Sequence, residues 1–416
     1  MADEQSSSIL NFNLLLKGGH VIDPANGIDG CMDVGIREGK IARIAPEIAL
    51  AEAAQSVDVT GHYVTPGILD IHTHVYTSRL VPKNSVESVN ADAHLFASGV
   101  TTTVDAGTAG WRYFLDFKES TITSSKVRIL AFLNIASSGM VVSESEQTLA
   151  DLNPAVVAHV AQTFPELILG IKTAHYWTEK PWDELHPPWG SVDRALEAAE
   201  LCGLPVMVDF WPRPPERTYP DLILQKLRPG DIHTHVFAQQ FPIVDKSGKV
   251  NDFMFKARER GVIFDLGHGA GSFWFRNAVP AWRDGFPPET LSTDLHMGNI
   301  IGPVLSMQNT MSKYLSMGMP LREVIERSTV LPAKAIRRPE LGSLHIGAEA
   351  DVAVFKLMEG DFGFTDCGRA RMKGHLKLEC ALTLRAGQVV FDPSGMSMVE
   401  WEHAPEPYWR NPTEPS

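Results

Sequence analysis

Two histidines that lie two residues apart, His72 and His74, end an apolar run in the stretch TPGILDIHTHVYTS. Residues i and i+2 of a β-strand point to the same side, so both rings would project together from the strand's carboxyl end. Paired imidazoles in that position are suited to holding a metal ion. A single His-x-His pair occurs by chance in many chains, so the prediction depends on finding the remaining ligands.

Eight short apolar runs, each followed by polar or glycine-rich residues, divide the middle of the chain at intervals of about 30 residues, the length of one βα unit. Helical periodicity fills the segments between them, as in SVDRALEAAELCG, where Ser191 is predicted to cap a helix that ends at Gly203. The pattern predicts an α/β fold, a (β/α)8 TIM barrel, with a doubly wound sheet as the alternative. The runs are 67–74, 100–107, 128–135, 167–173, 204–210, 231–237, 261–269 and 290–296.

Both ends of the chain have the pattern of short β-strands joined by tight turns. We therefore predict a small β-sandwich domain built from both termini, residues 1–63 and 340–416, beside a barrel domain of residues 64–339. Two separate β appendages are the alternative. The predicted turns lie at Gly18–Gly19, Glu38–Gly39 and Ala386–Gly387.

Composition excludes several classes of protein. With 37 Lys and Arg against 50 Asp and Glu, the net charge of −13 argues against a nucleic-acid or anionic-membrane partner. The four cysteines are scattered, so neither a disulfide framework nor a zinc ribbon is expected. No basic segment precedes an apolar core at the start, and no apolar run approaches the about 20 residues of a membrane span. We expect a cytoplasmic, soluble protein.

Residues able to bind metals recur at the predicted strand ends, where barrel enzymes place their active sites. Each has an ordinary structural explanation by itself: a strand-end histidine commonly bonds within the core, Lys172 could extend to the surface along its aliphatic stem, and Asp294 could cap a helix. Their coincidence on one rim argues against chance. In chain order they are His72, His74, Lys172, Asp209, His233, His235 and Asp294.

The combined pattern resembles the amidohydrolase superfamily of metal-dependent hydrolases, in particular the amidohydrolase/deacetylase branch related to dihydroorotases and D-aminoacylases. The resemblance rests on LLKGGHVIDP, DVTGHYVTPGILDIHTH and STVLPAKAIRRPELGSLHIGAEADVAVF, and it covers nearly the whole chain. It implies that His72, His74 and Asp294 hold the more buried of two metal ions. The residues of strands five and six would hold the second ion, and a carboxylated Lys172 would bridge the two.

The implied chemistry explains why a lysine belongs in this set. Burial lowers the pKa of an amine, and only the neutral amine takes up CO2 to become an anionic ligand with two oxygens. Two divalent ions can then share a hydroxide that attacks a carbonyl. Asp294 would take its proton and pass it to the leaving atom, as general base and then general acid. The expected cofactors are two divalent ions, zinc or alternatively manganese or iron, and the N6-carboxylated Lys172.

The sequence departs from the family pattern on strand five, where histidine is usual and this chain has Asp209. A carboxylate can bind zinc, but the added negative charge favours harder ions such as manganese or iron. By strand alternation, His233 is expected on the same side as His235 and one layer deeper. It would either support the metal site or replace the missing imidazole.

The loops that follow the strands are rich in aromatic residues and arginines. An aromatic wall favours an apolar or aryl group on the substrate, and an arginine could hold a carboxylate; alternatively, these side chains only fasten the loops to the barrel. We predict substrate contacts from His268, Arg213 and Arg276. The aromatic residues after strand four are Tyr176, Trp177, Trp182 and Trp189.

Three functions are compatible with these residues. The leading one is a deacetylase-like reaction, in which the amide bond, or an ester bond, of a small acylated amino or hydroxy acid is hydrolysed. Such an enzyme is an amidohydrolase that acts on carbon–nitrogen bonds other than peptide bonds. The second is ring opening of a cyclic amide or imide, as in dihydroorotases and hydantoinases. The third is a non-enzymatic relative, against which the complete ligand set argues. A homo-oligomer is expected, and the sequence does not decide between amide, ester and cyclic imide.

Overall fold

The computed structural model describes residues 10–175 and 182–410, with the backbone alone at Ser143 and His175. Within these ranges fifteen strands form a mixed sheet of eight strands and a parallel sheet of seven. The strands are β1 (Phe12–Asp23), β2 (Ile28–Arg37), β3 (Lys40–Ala45), β4 (Ala53–Asp58), β5 (Tyr63–Pro66), β6 (Ile68–Thr73), β7 (Val100–Gly110), β8 (Arg128–Asn134), β9 (Ile168–His175), β10 (Val206–Phe210), β11 (Ile232–His233), β12 (Ile263–Phe264), β13 (Val352–Thr365), β14 (Arg371–Arg385) and β15 (Gln388–Phe391).

Helices connect and cover these strands, and the part of the chain that the structure describes has no helix long and apolar enough to span a membrane. Short π-helical segments continue α2 at Lys118–Ile122 and α5 at Leu222–Lys226. The α-helices are α1 (Ala91–His94), α2 (Phe114–Phe117), α3 (Pro154–Thr163), α4 (Gly190–Cys202), α5 (Tyr219–Asp221), α6 (Asp252–Glu259), α7 (Phe275–Arg283), α8 (Met307–Ser316), α9 (Leu321–Glu326), α10 (Val330–Ala335) and α11 (Glu406–Trp409).

The mixed sheet draws its strands from both ends of the chain, in the order β15-β14-β13-β5-β1-β2-β3, with β4 also paired to β1. The two ends meet where β5 pairs antiparallel with β13, with Val64 opposite Val354. Both of these valines, together with Leu16 and Val34, are fully buried in one apolar cluster. The strands of both ends therefore share one mixed sheet and one core.

Two of the three predicted turns are confirmed. Glu38–Gly39 joins β2 to β3 and Ala386–Gly387 joins β14 to β15, and all four residues have the positive φ that two-residue hairpin turns require. The prediction for Gly18–Gly19 is wrong. These residues lie inside β1 at a bulge in its pairing with β2, where Gly18 takes a φ of 77°.

The parallel sheet runs from β6 to β12 in chain order, and its strands fall within or beside the first seven predicted runs. The helix predicted after strand four is α4, and it ends at Gly203, which has a φ of 72°. Ser191 does not cap it, because the helix begins one residue earlier and Trp189 takes the cap position. The Ser191 hydroxyl instead hydrogen-bonds to the Thr173 hydroxyl and ties α4 to β9.

The eighth predicted run, 290–296, does not form a strand. It makes single parallel bridges, from Leu295 to Thr73, the last residue of β6, and from Thr290 to Asp265, the residue that follows β12. The backbone N–H of His74 also donates to Leu295 O at 3.0 Å. Asp294 has a φ of 51°, which breaks the extended conformation. The segment therefore lies between the first and last strands of the parallel sheet and bonds to both.

Candidate metal centre

The first predicted ligand set comes together at the end of β6. His72, His74 and Asp294 each offer one ligand atom, and these atoms lie within 4.8 Å of one another. Asp294 Oδ1 is 3.0 Å from His74 Nε2 and 3.6 Å from His72 Nε2. The backbone N–H of Asp294 donates to His72 O at 2.6 Å, which fastens the carboxylate to the histidine strand.

A hydroxyl and a carboxylate fix the tautomer of His72. The Thr234 hydroxyl donates to Asp265 Oδ2 at 2.7 Å, so its oxygen accepts a proton from His72 Nδ1, 2.8 Å away. The Nε2 atom of His72 then carries the lone pair, and it faces Asp294. Burial and the neighbouring Lys172 lower the pKa of His72 to about 3, which keeps the ring neutral.

His74 has a similar support on the opposite side. Its Nδ1 atom lies 2.7 Å from the Thr108 hydroxyl, which leaves Nε2 turned toward Asp294. Asp105 holds this loop by accepting from the backbone N–H groups of Thr108 at 2.8 Å and Val75 at 3.0 Å. Such outer contacts orient a histidine ligand and keep the unprotonated nitrogen pointed at the metal.

The second predicted set, Lys172, Asp209 and His235, adjoins the first. Lys172 Nζ lies 3.3 Å from His72 Nε2, and the rings of His72 and His235 are 4.9 Å apart. Asp209 Oδ2 lies 3.2 Å from His235 Nε2. All three side chains are buried and line the same cavity as the first set. The six predicted ligands therefore share one site.

Burial and close charges shift the pKa values of these groups. Burial lowers the pKa of the Lys172 amine, and although the carboxylates of Asp209 and Asp294 oppose this, the net shift is downward. Burial also disfavours the charged form of His235, but Asp209 outweighs it and raises the pKa of His235 to about 9. The pKa of Asp294 is lowered because His72 and His74 outweigh the effect of its burial.

The backbone around the site takes conformations that side chains usually avoid. His235 and Asp294 have φ values of 61° and 51°. Gly267 permits a close approach, since a Cβ there would lie 2.2 Å from Thr234 Oγ1. Gly269 does the same for Asp294, whose Oδ2 would be 2.7 Å from an added Cβ. Such strained positions cluster at functional sites, where the surrounding packing holds them in place.

The structure does not bring His233 to the ligands. Its ring lies among Tyr219, Phe241 and Phe264, on the helix-facing side of the sheet, and its Nε2 is buried without a hydrogen-bond partner among the described residues. The expectation that His233 and His235 share a side is wrong, because the positive φ at His235 breaks the strand's alternation. Burial lowers the pKa of His233 to about 4, so its ring is neutral.

The cavity above the ligands measures about 550 Å³, and none of the three predicted substrate contacts lines it. Arg213 and Arg276 are exposed, and Arg276 stacks over Trp274. His268 is fully buried, and its Nε2 accepts from Lys313 Nζ at 2.6 Å. In addition to the ligands, the lining includes Lys83, Ser85, Val86, Glu87, Met140, Ser272 and His296.

Two of the four predicted aromatic residues can be placed, and both fasten their loop to the barrel. Trp189 stacks on Phe210 with ring centres 5.5 Å apart, and Trp182 lies under the guanidinium of the buried Arg217. The other two, Tyr176 and Trp177, lie outside the described residues. Trp182 and Trp189 therefore follow the alternative prediction, in which the aromatic residues only fasten the loop to the barrel.

Sequence reasoning missed several residues of the site. His296 follows Asp294 by two positions in STDLHMGN, and that spacing could have identified it. Glu146 comes from the loop after β8; burial raises its pKa to about 8, and the charges of Lys172 and Asp209 act on it. Thr234 and Thr108 carry no sequence signal, because hydroxyl residues are common beside strands.

The donor set fits divalent metal ions. His235 donates its Nδ1 proton to the carbonyl of Gly267, so a neutral ring presents a lone pair to Asp209. Two electron-rich atoms 3.2 Å apart repel each other unless a proton or a metal ion lies between them. Imidazole nitrogens and carboxylate oxygens suit zinc, iron and manganese.

Comparisons with known proteins agree with this site, although no family model matches the chain. A deacetylase of Enterococcus faecalis is 28% identical over 384 residues, which cover 91% of this chain and 99% of the relative. A deacetylase of Agrobacterium fabrum is 33% identical over 343 residues, or 79% of each chain. The structure of an adenine deaminase matches with a TM-score of 0.81 at 27% identity, covering 92% of this chain and 100% of the other. That of a dihydroorotase matches at 0.77 and 29% identity, covering 91% and 99%.

Fold, site and relatives together define a hydrolase class. The chain belongs to the amidohydrolase superfamily, in the deacetylase branch related to dihydroorotases. It is a metal-dependent enzyme acting on carbon–nitrogen bonds other than peptide bonds.

Proposed function

We propose that the enzyme hydrolyses the amide bond of an N-acylated amino acid, or the ester bond of an acylated hydroxy acid, and releases the acyl group as a carboxylic acid. The observation that carries this proposal is the convergence of six candidate ligand side chains on one cavity of about 550 Å³, three of them close enough to share one ion. Two relatives named deacetylase, one of them similar over nearly its whole length, support the choice of an acyl substrate.

The proposed centre holds two divalent ions, with zinc as the first expectation and manganese or iron as alternatives. His72, His74 and Asp294 would hold one ion, and Asp209 and His235 the other. The buried Lys172 amine would add CO2 and lose a proton, and the resulting carbamate would contact both ions. Bound divalent ions would supply an activated water and polarise the scissile carbonyl.

Asp294 is the proposed general base and general acid. Its Oδ1 faces His72 and His74, while its Oδ2 accepts no hydrogen bond from the described residues. Oδ2 is therefore the atom that takes a proton from the attacking water. As the carbon–nitrogen or carbon–oxygen bond breaks, Asp294 passes this proton to the leaving atom.

Ring opening of a cyclic amide is a second candidate, favoured by the structural match to a dihydroorotase at 29% identity. The same donors would serve both reactions, since each begins with attack of water on an amide carbonyl. The two differ only in whether the leaving nitrogen stays attached to the product.

We further propose that residues 64–339 form an eight-unit barrel domain, with 1–63 and 340–416 as the β domain. The contacts of segment 290–296 with both β6 and β12 support closure of the barrel.

A cytoplasmic homo-oligomer remains our expectation. Exposed Trp401, Tyr408 and Trp409 near the C-terminus support the oligomer, because large exposed aromatic side chains favour protein contacts.

A panel of acylated compounds tests the function. The metal-loaded enzyme is assayed for acid release from N-acetyl amino acids of both configurations, acetylated hydroxy acids, dihydroorotate and hydantoins. Turnover of the acetylated compounds with Asp294→Asn inactive is the expected result. Turnover of cyclic amides alone would select the second candidate, and turnover of none would overturn both.

A further inference from the structure

His296 stands beside the proposed catalytic base but takes no part in the ligand set. It follows Asp294 by two residues, lines the cavity, and its ring centre lies 6.3 Å from that of His74. The side chain is partly exposed, so a small molecule in the cavity can reach it.

The hydrogen bonding of His296 fixes what it offers to a substrate. Its Nδ1 accepts from the backbone N–H of Gly298 at 3.1 Å, so the proton of the neutral ring is on Nε2. Nε2 has no protein partner among the residues that the structure describes. The ring therefore presents an unused donor at the cavity wall.

Lys83 brings a positive charge to the same wall from the loop after β6. Its Nζ lies 2.6 Å from Glu87 Oε1, but the side chains are 74% and 54% exposed, and exposed ion pairs of this kind are weak and exchangeable. The backbone N–H of Met297 donates to Glu87 O at 2.8 Å. This bond holds the Lys83 loop against the loop that carries His296.

We infer that His296 and Lys83 form a subsite for a carboxylate of the substrate. The inference rests on the proposed function and specifies its substrate class. Among the described residues that line the cavity, the two lysines are Lys83 and Lys172. Lys172 faces His72 as a proposed metal ligand, and Arg213 and Arg276 lie outside the lining, so Lys83 is the cation available to a substrate. A carboxylate pairs well with an ammonium group and an imidazole N–H.

The position of His296 matches the covalent structure of such a substrate. In an N-acyl amino acid, the carboxylate is separated from the scissile carbon by the amide nitrogen and one Cα atom. It must therefore bind close to the centre but outside the ligand set, which is where His296 lies. In the bound complex, Lys83 would exchange Glu87 for the substrate carboxylate.

The test combines enzyme variants with a pair of substrates that differ in charge. The best substrate from the N-acetyl amino acid panel is compared with its primary carboxamide, in wild type, His296→Ala, His296→Gln and Lys83→Met. Arg276→Gln, an exposed cation outside the lining, is the matched control. Binding of both compounds is also measured by calorimetry in the Asp294→Asn background, and metal content is measured in every variant.

We expect His296→Ala and Lys83→Met each to raise the KM and Kd of the acid about 10-fold or more, the scale of a lost hydrogen bond to a charged group. The KM and Kd of the carboxamide should rise by less than about threefold, the lower end of the range for a lost hydrogen bond between neutral groups. His296→Gln, which retains an N–H donor, should recover part of the loss, and metal content should not change.

The outcomes separate the two proposals. If wild type binds and hydrolyses the acid and the carboxamide equally well, or if both variants weaken the two compounds equally, the carboxylate subsite is overturned while the proposed function stands. If no acetylated compound is hydrolysed, the proposed function fails. The calorimetric comparison then decides on the subsite independently, and equal binding of the acid in wild type and both variants overturns it.

Discussion

Asp209 Oδ2 lies 3.2 Å from His235 Nε2, although the opposite nitrogen of that ring donates to the carbonyl of Gly267. Both facing atoms offer electron pairs unless a proton or a metal ion lies between them. Without a metal, the Asp209 carboxylate raises the pKa of His235 to about 9, so a proton lies between the two atoms at neutral pH. A divalent ion would replace that proton, so this pair is where we propose the second metal binds.

The first prediction follows from this pair. Asp209→Ala should lose one metal ion per chain, because His235 alone cannot hold it, while the ion held by His72, His74 and Asp294 stays. His233→Leu is the matched control, since His233 lies among aromatic rings, and it should retain the wild-type metal content. Elemental analysis of both variants, purified without chelators, measures this. Loss of metal from His233→Leu but not from Asp209→Ala would reverse the assignment.

The second prediction concerns Lys172. Its buried amine has a lowered pKa, and uptake of CO2 needs the neutral form. Enzyme loaded with metal in ¹³C-labelled bicarbonate should show a carbamate carbon by NMR, and Lys172→Ala should not. The variant should also lose the second metal and nearly all activity, and short carboxylic acids should restore part of it. An unmodified amine in active, metal-loaded enzyme would contradict this prediction.

The six candidate ligands that line one cavity could be selected from the sequence, because metal-binding residue types at strand ends are distinctive and strand order is encoded by apolar runs. That they bind metal stays a prediction. It failed where the backbone leaves regular geometry. Period-two alternation placed His233 beside His235, but the positive φ of His235 removes that relationship. Likewise, the polar segment around Asp294 bonds to two strands without forming one.

Loop residues were the other limit of sequence reasoning. Arg213 and Arg276 were predicted to contact the substrate because of their charge, but their loops turn them outward. His296 and Lys83 line the cavity through backbone contacts between two loops distant in sequence. The spacing of His296 from Asp294 places His296 near the site, but nothing in the local sequence pattern encodes the contact between the two loops that brings Lys83 there.

The third prediction is that Asp294→Asn retains the fold but loses turnover. The amide nitrogen cannot accept a proton from water, and general-base roles are worth about 10²–10⁴-fold in rate. Steady-state kinetics with the best acetylated substrate measures the loss, with metal content determined in parallel. If the variant binds both ions and retains more than about a tenth of the wild-type kcat, Asp294 is not the base.

The fourth prediction concerns the pH dependence of stability. Burial lowers the pKa of Lys313 to about 7, near His268, Cys367 and Asp366. The unfolded chain, with a lysine pKa of about 10.4, binds more protons between these values. Lys313 therefore makes the free energy of unfolding rise with pH from about 7 to about 10. Below pH 7 the lysine is charged in both states, and the cost of burying that charge lowers the free energy of unfolding by its full amount.

Lys313→Met removes that penalty, so its melting temperature relative to wild type should be highest below pH 7 and fall as the pH rises. Lost hydrogen bonds to His268 and Pro303 add an offset that does not change this direction. Melting curves across the pH range measure the trend, with the exposed Lys334→Met as control. A difference that stays constant with pH would show that Lys313 is charged throughout in the folded protein.

The last prediction tests the hydroxyl that orients His72. Thr234 donates to Asp265 and accepts from His72 Nδ1, so Thr234→Val should free the ring to change tautomer and orientation. Loss of such an outer contact typically weakens metal binding about 10–100-fold. Thr290→Val is the matched control, because Thr290 donates to the same carboxylate at 2.6 Å but has no bond to His72. Both variants leave Asp265 short of one donor and should be destabilised alike, yet only Thr234→Val should lower metal affinity in a chelator competition. Equal metal affinities in the two variants would mean that the Thr234 hydroxyl supports the fold and does not orient His72.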